Sequence, residues 1–448
     1  MTKPFFKHAF CLIFFVGSFS LYGQEEENKG FLKVEGAAQS RYMRTHNRGD
    51  LADFSIWVTH TRFNADYKIN KWLSAGFQYN FLVHSGTDGI DPDPITGSGP
   101  IYEGNLWNRR LMTGSSELSL PQIFVQASFD KHTITVGDFI WNTPAINGEP
   151  WPFPNALEGV RWQYESEKLR LQLAGITAIS SRFSGEFENV GDAIGIAGVG
   201  RDVFGNPSGY RGNTESDFIV VANASFPLGE KLSMDIWNYY VDNVTTTLLL
   251  EPTFKLEDKG YTFKAMYIYQ SKVGRGGNDL QNLAYQFDGQ SSYLGLRVEK
   301  DWNNNQLQFN FSRIGSEGRL LLPREWGKEP FYTFQRRTRI EGLANVTALM
   351  LRYQKKWEQP KNNFRLYSSM GQHWTPDVTN PAENKLNLPS HLHWDVSGRY
   401  ELNGYLKGLA LEVLAAYRWL AEDIGNDQRA LINRADFFHL DVMLSYGF

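Results

Sequence analysis

The last eleven residues, Phe438 to Phe448, set Phe438, Leu440, Val442, Leu444, Tyr446 and Phe448 on one side of a strand, with His439, Asp441, Met443, Ser445 and Gly447 on the other. A strand repeats every two residues, so this stretch has one continuous apolar face and one polar face. Apolar outside and polar inside is the pattern of a wall with lipid on one side and a water-filled lumen on the other. The chain is therefore read first as all-β, a transmembrane antiparallel barrel.

The N-terminus supplies the compartment. Lys3 and Lys7 precede an apolar run from Ala9 to Phe19, and small or polar residues continue to Gly23 and Gln24. This is the plan of a secretory signal peptide over residues 1–23, with a single barrel domain expected over 24–448. The run is about half the ~20 residues that a membrane-spanning helix needs. Cys11, the one cysteine, lies inside that run, so the mature chain is expected to hold no disulfide or thiol metal site. The chain carries 45 basic and 49 acidic residues, a balance that argues against a nucleic-acid partner. A mean hydropathy of −0.41 rules out a helical membrane protein but suits a barrel, in which only alternate strand residues meet lipid.

Alternating segments start near Phe31, Asp53, Trp72, Glu117, His132, Leu157, Leu169, Ser216 and Leu232, then near Thr246, Gly260, Ser291, Gln306, Leu343, Phe364, Ser390, Gly408 and Ala435. That makes about eighteen strands, an even number as single-chain barrels require. The connections alternate short and long. Turns such as Asn70-Lys71, Asp130-Lys131 and Asn403-Gly404 lie between long links such as 84–116, 179–215 and 315–342. Short periplasmic turns and long extracellular loops are the arrangement expected of such a barrel, and a soluble sheet has no reason to adopt it. The link near Asp242 breaks the rule by being short.

Phasing each strand by its apolar face assigns the lumen residues. Arg41 and Arg62 turn inward from the first two strands, followed round the wall by Arg161, Arg170, Lys264, Arg297, Arg352, Arg365, Arg399 and Arg418. A file of guanidinium groups would guide carboxylates inward, because each presents a planar fork of donors that stays charged. Glu35, Asp66, Glu299, Asp395, Glu401, Glu412 and Asp441 face the same way and could instead neutralise these bases in pairs.

Two segments resemble loops of the OprD family of outer-membrane porins. One runs from Val136-Gly137-Asp138 through Asn142-Thr143-Pro144 and on through Phe153-Pro154-Asn155 to Gly159-Val160. The other is Leu322-Pro323-Arg324-Glu325-Trp326-Gly327 through Phe334, followed by Arg336, Arg339 and Glu341. Many outer-membrane proteins also end on an aromatic residue such as Phe448. The resemblance implies an eighteen-stranded passive channel for small hydrophilic solutes such as amino acids or other small carboxylates, with no enzymatic activity and no cofactor. Its partners would be outer-membrane lipid and the solutes themselves, and it would work as a monomer or a homotrimer. Inward-folded loops would form a constriction, to which Asp138, Trp151 and Arg324 are assigned. Asp138 departs from the Gly-Arg-Gln of the family motif and puts an acid where a base is expected. Some relatives take oligosaccharides, which is the alternative reading.

Other chemistry finds less support. His391 and His393 stand two apart on a lumen face, but two ligands make a poor metal site. No Gly-x-Ser-x-Gly elbow is present to support a barrel hydrolase. A non-conducting structural barrel is a further alternative.

Overall fold

The computed structural model describes residues 30–86, 89–106, 116–148, 153–196 and 200–448. The expected signal peptide lies outside these residues. The strands are β1 (Phe31–His46), β2 (Phe54–Lys68), β3 (Leu73–Gly86), β4 (Ser116–Phe129), β5 (His132–Phe139), β6 (Ala156–Glu165) and β7 (Arg170–Ser180). After the three-residue β8 (Phe187–Asn189) come β9 (Ile219–Pro227), β10 (Leu232–Val241), β11 (Thr245–Leu256), β12 (Tyr261–Lys272) and β13 (Gln290–Trp302). The series ends with β14 (Asn305–Ile314), β15 (Val346–Glu358), β16 (Asn362–Trp374), β17 (His391–Leu402), β18 (Leu409–Leu420) and β19 (Phe437–Gly447).

Every wall strand pairs antiparallel with its sequence neighbour. β9 pairs directly with β7, leaving β8 as a spur inside a loop. β19 closes onto β1 with Ala38 opposite Tyr446, so the wall is a closed ring of eighteen strands without a free edge. The strands begin within about three residues of the positions expected from alternation.

Burial is inverted relative to a soluble protein. Phe309 is 51% exposed while its neighbour Asn310 is wholly buried, and Phe438 is 39% exposed beside a wholly buried His439. The apolar side chains point to lipid and the polar ones inward, as the two-residue period requires. β1 has 16 residues and β2 has 15, more than the ~9–11 that cross a bilayer, so their ends stand beyond it.

The long connections all leave from one end and several fold back into the lumen. A large buried apolar cluster, including Phe139, Trp141, Ile176, Ile194, Trp326 and Phe331, fills the barrel beside β6 to β15. A second cluster joins Met43, Ile56, Val58 and Leu82 of the wall to Leu106 and Phe153 of two loops. Loop chain thus supplies the core that an empty ring of this size would lack. The Asp242 link is short as expected, with Val244 N bonded to Val241 O at 3.1 Å.

Candidate permeation site

The two segments that carried the resemblance meet inside the barrel. Residues 139–148 turn sharply because Thr143 and Ile146 bond each other through Thr143 N to Ile146 O at 2.7 Å and Ile146 N to Thr143 Oγ1 at 3.0 Å. Pro144 at the tip stiffens the turn. The turn reaches across to β10, where Ala145 N bonds Tyr239 Oη at 3.3 Å and Trp141 packs on Trp237 at 5.8 Å. Asn147, near its end, is the junction: Asn147 N donates to Trp326 O at 2.8 Å, and Asn147 Nδ2 to Lys328 O at 3.0 Å.

The second segment is held in shape by its own charges. Both oxygens of Glu329 accept from the backbone N–H groups of Ile340 and Glu341, Arg339 donates to Gly327 O at 2.6 Å, and Arg324 pairs with Glu341. Glu329 is deeply buried, and burial pushes its carboxyl up to about 7 against the opposing pull of Arg339. Burial likewise lowers the Lys385 ammonium to about 8, where it sits over the Tyr210 and Tyr285 rings.

Between these anchors, residues 331–338 run along the inner wall like a belt. Tyr332 bonds Tyr293 of β13, Thr333 bonds Ser312 of β14, and Gln335 bonds Ser369 of β16. Arg336 then reaches Glu412 of β18, and Arg337 pairs with Asp441 of β19. Tyr102, from the loop after β3, locks the far end: its hydroxyl lies 2.9 Å from both Arg337 O and Asn433 O and shares its one proton between them.

The residues expected to line the lumen divide by their partners. Arg41 bonds Asp441 at 2.9 and 2.6 Å, Lys264 bonds Glu251 at 2.8 Å, and Arg399 bonds Glu401 at 2.6 Å. Arg170 pairs with Glu165 at 2.8 Å on the rim of the short-turn side. Arg324 is buried in the loop pair already described. Arg418 is 2% exposed and spends its guanidinium on Arg337 O, Arg434 O and Thr338 Oγ1, so it fastens the belt rather than facing a solute. Arg62 stands exposed on the lumen side of β2, opposite Asn80.

Among the described residues five of the expected lumen bases have no ion-pair partner: Arg62 and the exposed Arg365 of β16, and three that touch the inserted loops. Arg161 rests on the rings of Phe139 and Trp141 at 5.5 and 5.6 Å. Arg297 donates to Asn310 at 2.7 Å and lies 4.3 Å over Tyr332, while Arg352 donates to Phe334 O at 2.7 Å. β15 is eight strands further round the ring than β6, so Arg352 and Arg161 belong to opposite walls.

Asp138 requires a correction. It pairs with Ile123, which is 52% exposed on the outer surface, and shares its parity with the outward Val136. Residues opposite each other in an antiparallel ladder point to one side, so Asp138 lies on the outer wall next to Glu158 and away from the lumen. Trp151 lies outside the described residues. His391 and His393 gain a third histidine, His373, whose ring stacks on His391 at 4.7 Å. No group of three or more His, Cys, Asp or Glu able to hold a metal occurs among the described residues.

The sequence reading assigned Gln172 to the lumen with Arg170 but passed over the inward amides Gln78, Gln122 and Gln126. They alternate with outward apolar residues as the arginines do, so the same phasing would have found them.

No protein-family model matches the sequence, and no curated protein does. Solved structures match over almost the whole chain. OccAB4 of Acinetobacter baumannii has a TM-score of 0.70 at 13% identity, covering 94% of this chain and 99% of that one. OccK9 (OpdG) of Pseudomonas aeruginosa has a TM-score of 0.68 at 13% identity, covering 93% and 98%. OccK3 (OpdO) of the same organism gives 0.64 at 12% identity, with 93% and 95% covered. All three are OprD/Occ porins. This chain has the OprD/Occ fold. At such low identity the Occ-like fold is what is shared, and the lumen chemistry has to be read from this chain's own residues.

Proposed function

We propose that the chain is an outer-membrane porin, a passive channel that prefers small hydrophilic solutes such as amino acids or other small carboxylates. The observation that carries this reading is the set Arg161, Arg297 and Arg352, which face the lumen without a carboxylate against them among the described residues. Arg41, Lys264 and Arg399 are neutralised locally, and of the unpaired bases these three are the ones set against the inserted loops, through Trp141, Tyr332 and Phe334. A guanidinium inside a narrow, partly desolvated passage attracts a carboxylate more strongly than it does in bulk water. Each contact must stay weak enough for release, which a single fork on each side allows.

The contact between 139–148 and 326–328 supports a constriction built by the two inserted loops. A solute would enter between the long loops, pass that narrowing and be handed between the bases of opposite walls. The test is the reversal potential of the purified protein in a planar bilayer under a salt gradient. The triple replacement Arg161→Gln, Arg297→Gln and Arg352→Gln should shift it toward cation preference while the barrel still folds. An unchanged potential would sink the reading.

A further inference from the structure

The lumen is chemically two-sided. From β11 round to β19 its inner face carries alternating acids and bases such as Glu251, Lys264, Arg352 and Glu412. From β3 to β9, between the Glu165–Arg170 rim pair and the inserted loops, it is lined by amides and hydroxyls. Its charged side chains among the described residues are Arg161 and, at the loop end of β4, Glu117, which is buried against His84 of β3.

Within this amide wall the pairing of β4, β5 and β6 builds a shallow recess. Gln126, Thr135 and Arg161 stand opposite one another and form one row across the three strands. The next row toward the loops is Phe124, Gly137 and Gly159. The two glycines have φ of +112° and +159°, a backbone in which a Cβ would collide with Ile123 O and Gly175 O of the neighbouring strands, so this row carries bare backbone. The Phe124 ring occupies the space over Gly76, where a Cβ would come within 2.3 Å of it and 2.9 Å of Asp66 Oδ1, and one side of it packs against the large apolar cluster. Phe139, above, braces Arg161 from the loop side.

The polar groups here have capacity to spare. An amide offers two N–H donors and an acceptor oxygen with two lone pairs. Among the described residues Gln126 makes one side-chain hydrogen bond, from Thr135 Oγ1 at 3.3 Å, and Gln122 makes one, to Gln78 Oε1 at 2.7 Å. Donors and acceptors left side by side match a hydroxyl, which is both. A flat aromatic face beside them matches the apolar face of a saturated ring.

We propose that this recess is a sugar-acid subsite. It takes a ring solute bearing several hydroxyls and one carboxylate, that is, a hexuronate or the acidic end of a short oligosaccharide. The carboxylate meets the Arg161 fork, the hydroxyls meet Gln122, Gln126 and Thr135, and the ring lies over the glycine backbone against Phe124. A neutral hexose lacks the first contact, and a straight-chain dicarboxylate lacks the other two. The proposal rests on the channel reading above and narrows its substrate class.

The experiment is block of single-channel current by galacturonate, galactose and glutarate, with binding of galacturonate to the detergent-solubilised protein measured in parallel by calorimetry. Galacturonate should block at a concentration roughly tenfold below either comparator. Phe124→Ala and Gln126→Leu should each erase most of that advantage without changing block by glutarate, while Arg161→Gln should weaken both acids. Equal block by galacturonate and glutarate, or an advantage that survives Phe124→Ala, would overturn the subsite. A silent bilayer with galacturonate still bound would overturn the channel reading and leave the subsite standing. Silence without binding would remove both.

Discussion

At the scale of single residues, the side of the wall decides what a charge can do. Asp138 and Arg161 sit on neighbouring strands, yet one faces outward and the other the lumen. Asp138→Asn should therefore leave the reversal potential of the wild-type channel unchanged; a shift toward anion preference would show that its carboxylate is felt in the lumen. This was legible in the sequence, since Asp138 shares parity with Ile134 and Val136, but the family motif pulled the assignment inward. The burial of Arg418 was not legible, because strand phase gives the direction of a side chain and not what a distant loop lays over it. Glu329 carries a pH dependence of definite sign. Its folded pKa, about 7, stands above the usual ~4.3 of a free glutamate, so between those values the folded loop holds a proton that the opened loop does not. Opening becomes easier as pH rises through that window. Limited proteolysis of the loop after β14 should be several-fold faster at pH 8 than at pH 5, and Glu329→Gln should flatten the difference.

At the scale of elements, the strands were readable because lipid enforces a strict alternation, and the turn-and-loop rhythm followed from the two sides of a membrane. The belt was not readable. Its course depends on pairings such as Arg337 with Asp441 that join residues far apart in sequence, and no local pattern encodes them. The closing seam gives Phe448 a structural role. Phe448 exchanges backbone hydrogen bonds with Gly36 at 2.9 Å, and its ring covers the site where a Gly36 Cβ would stand. Gly36→Val should expel that ring at a cost of about 1–3 kcal/mol. The expected readout is a lower fraction of heat-modifiable barrel on a gel; full retention of that fraction would mean the ring contributes nothing to closure.

At the scale of the whole molecule, the outer face of the ring answers to lipid while its inner face and the inserted loops line the lumen, so a fold shared at 13% identity leaves the lining free to change. The division of the lumen into an amide side and a charged side has one more consequence, which concerns handedness. A solute held at once by a ring face, an amide and a guanidinium is fixed at three unlike points, and an object and its mirror image cannot satisfy three such points equally. The pore is then a chiral filter. D- and L-galacturonate, identical in charge, size and solubility, should block it at different concentrations, and equal block by the two would show that solutes tumble freely past the amide wall.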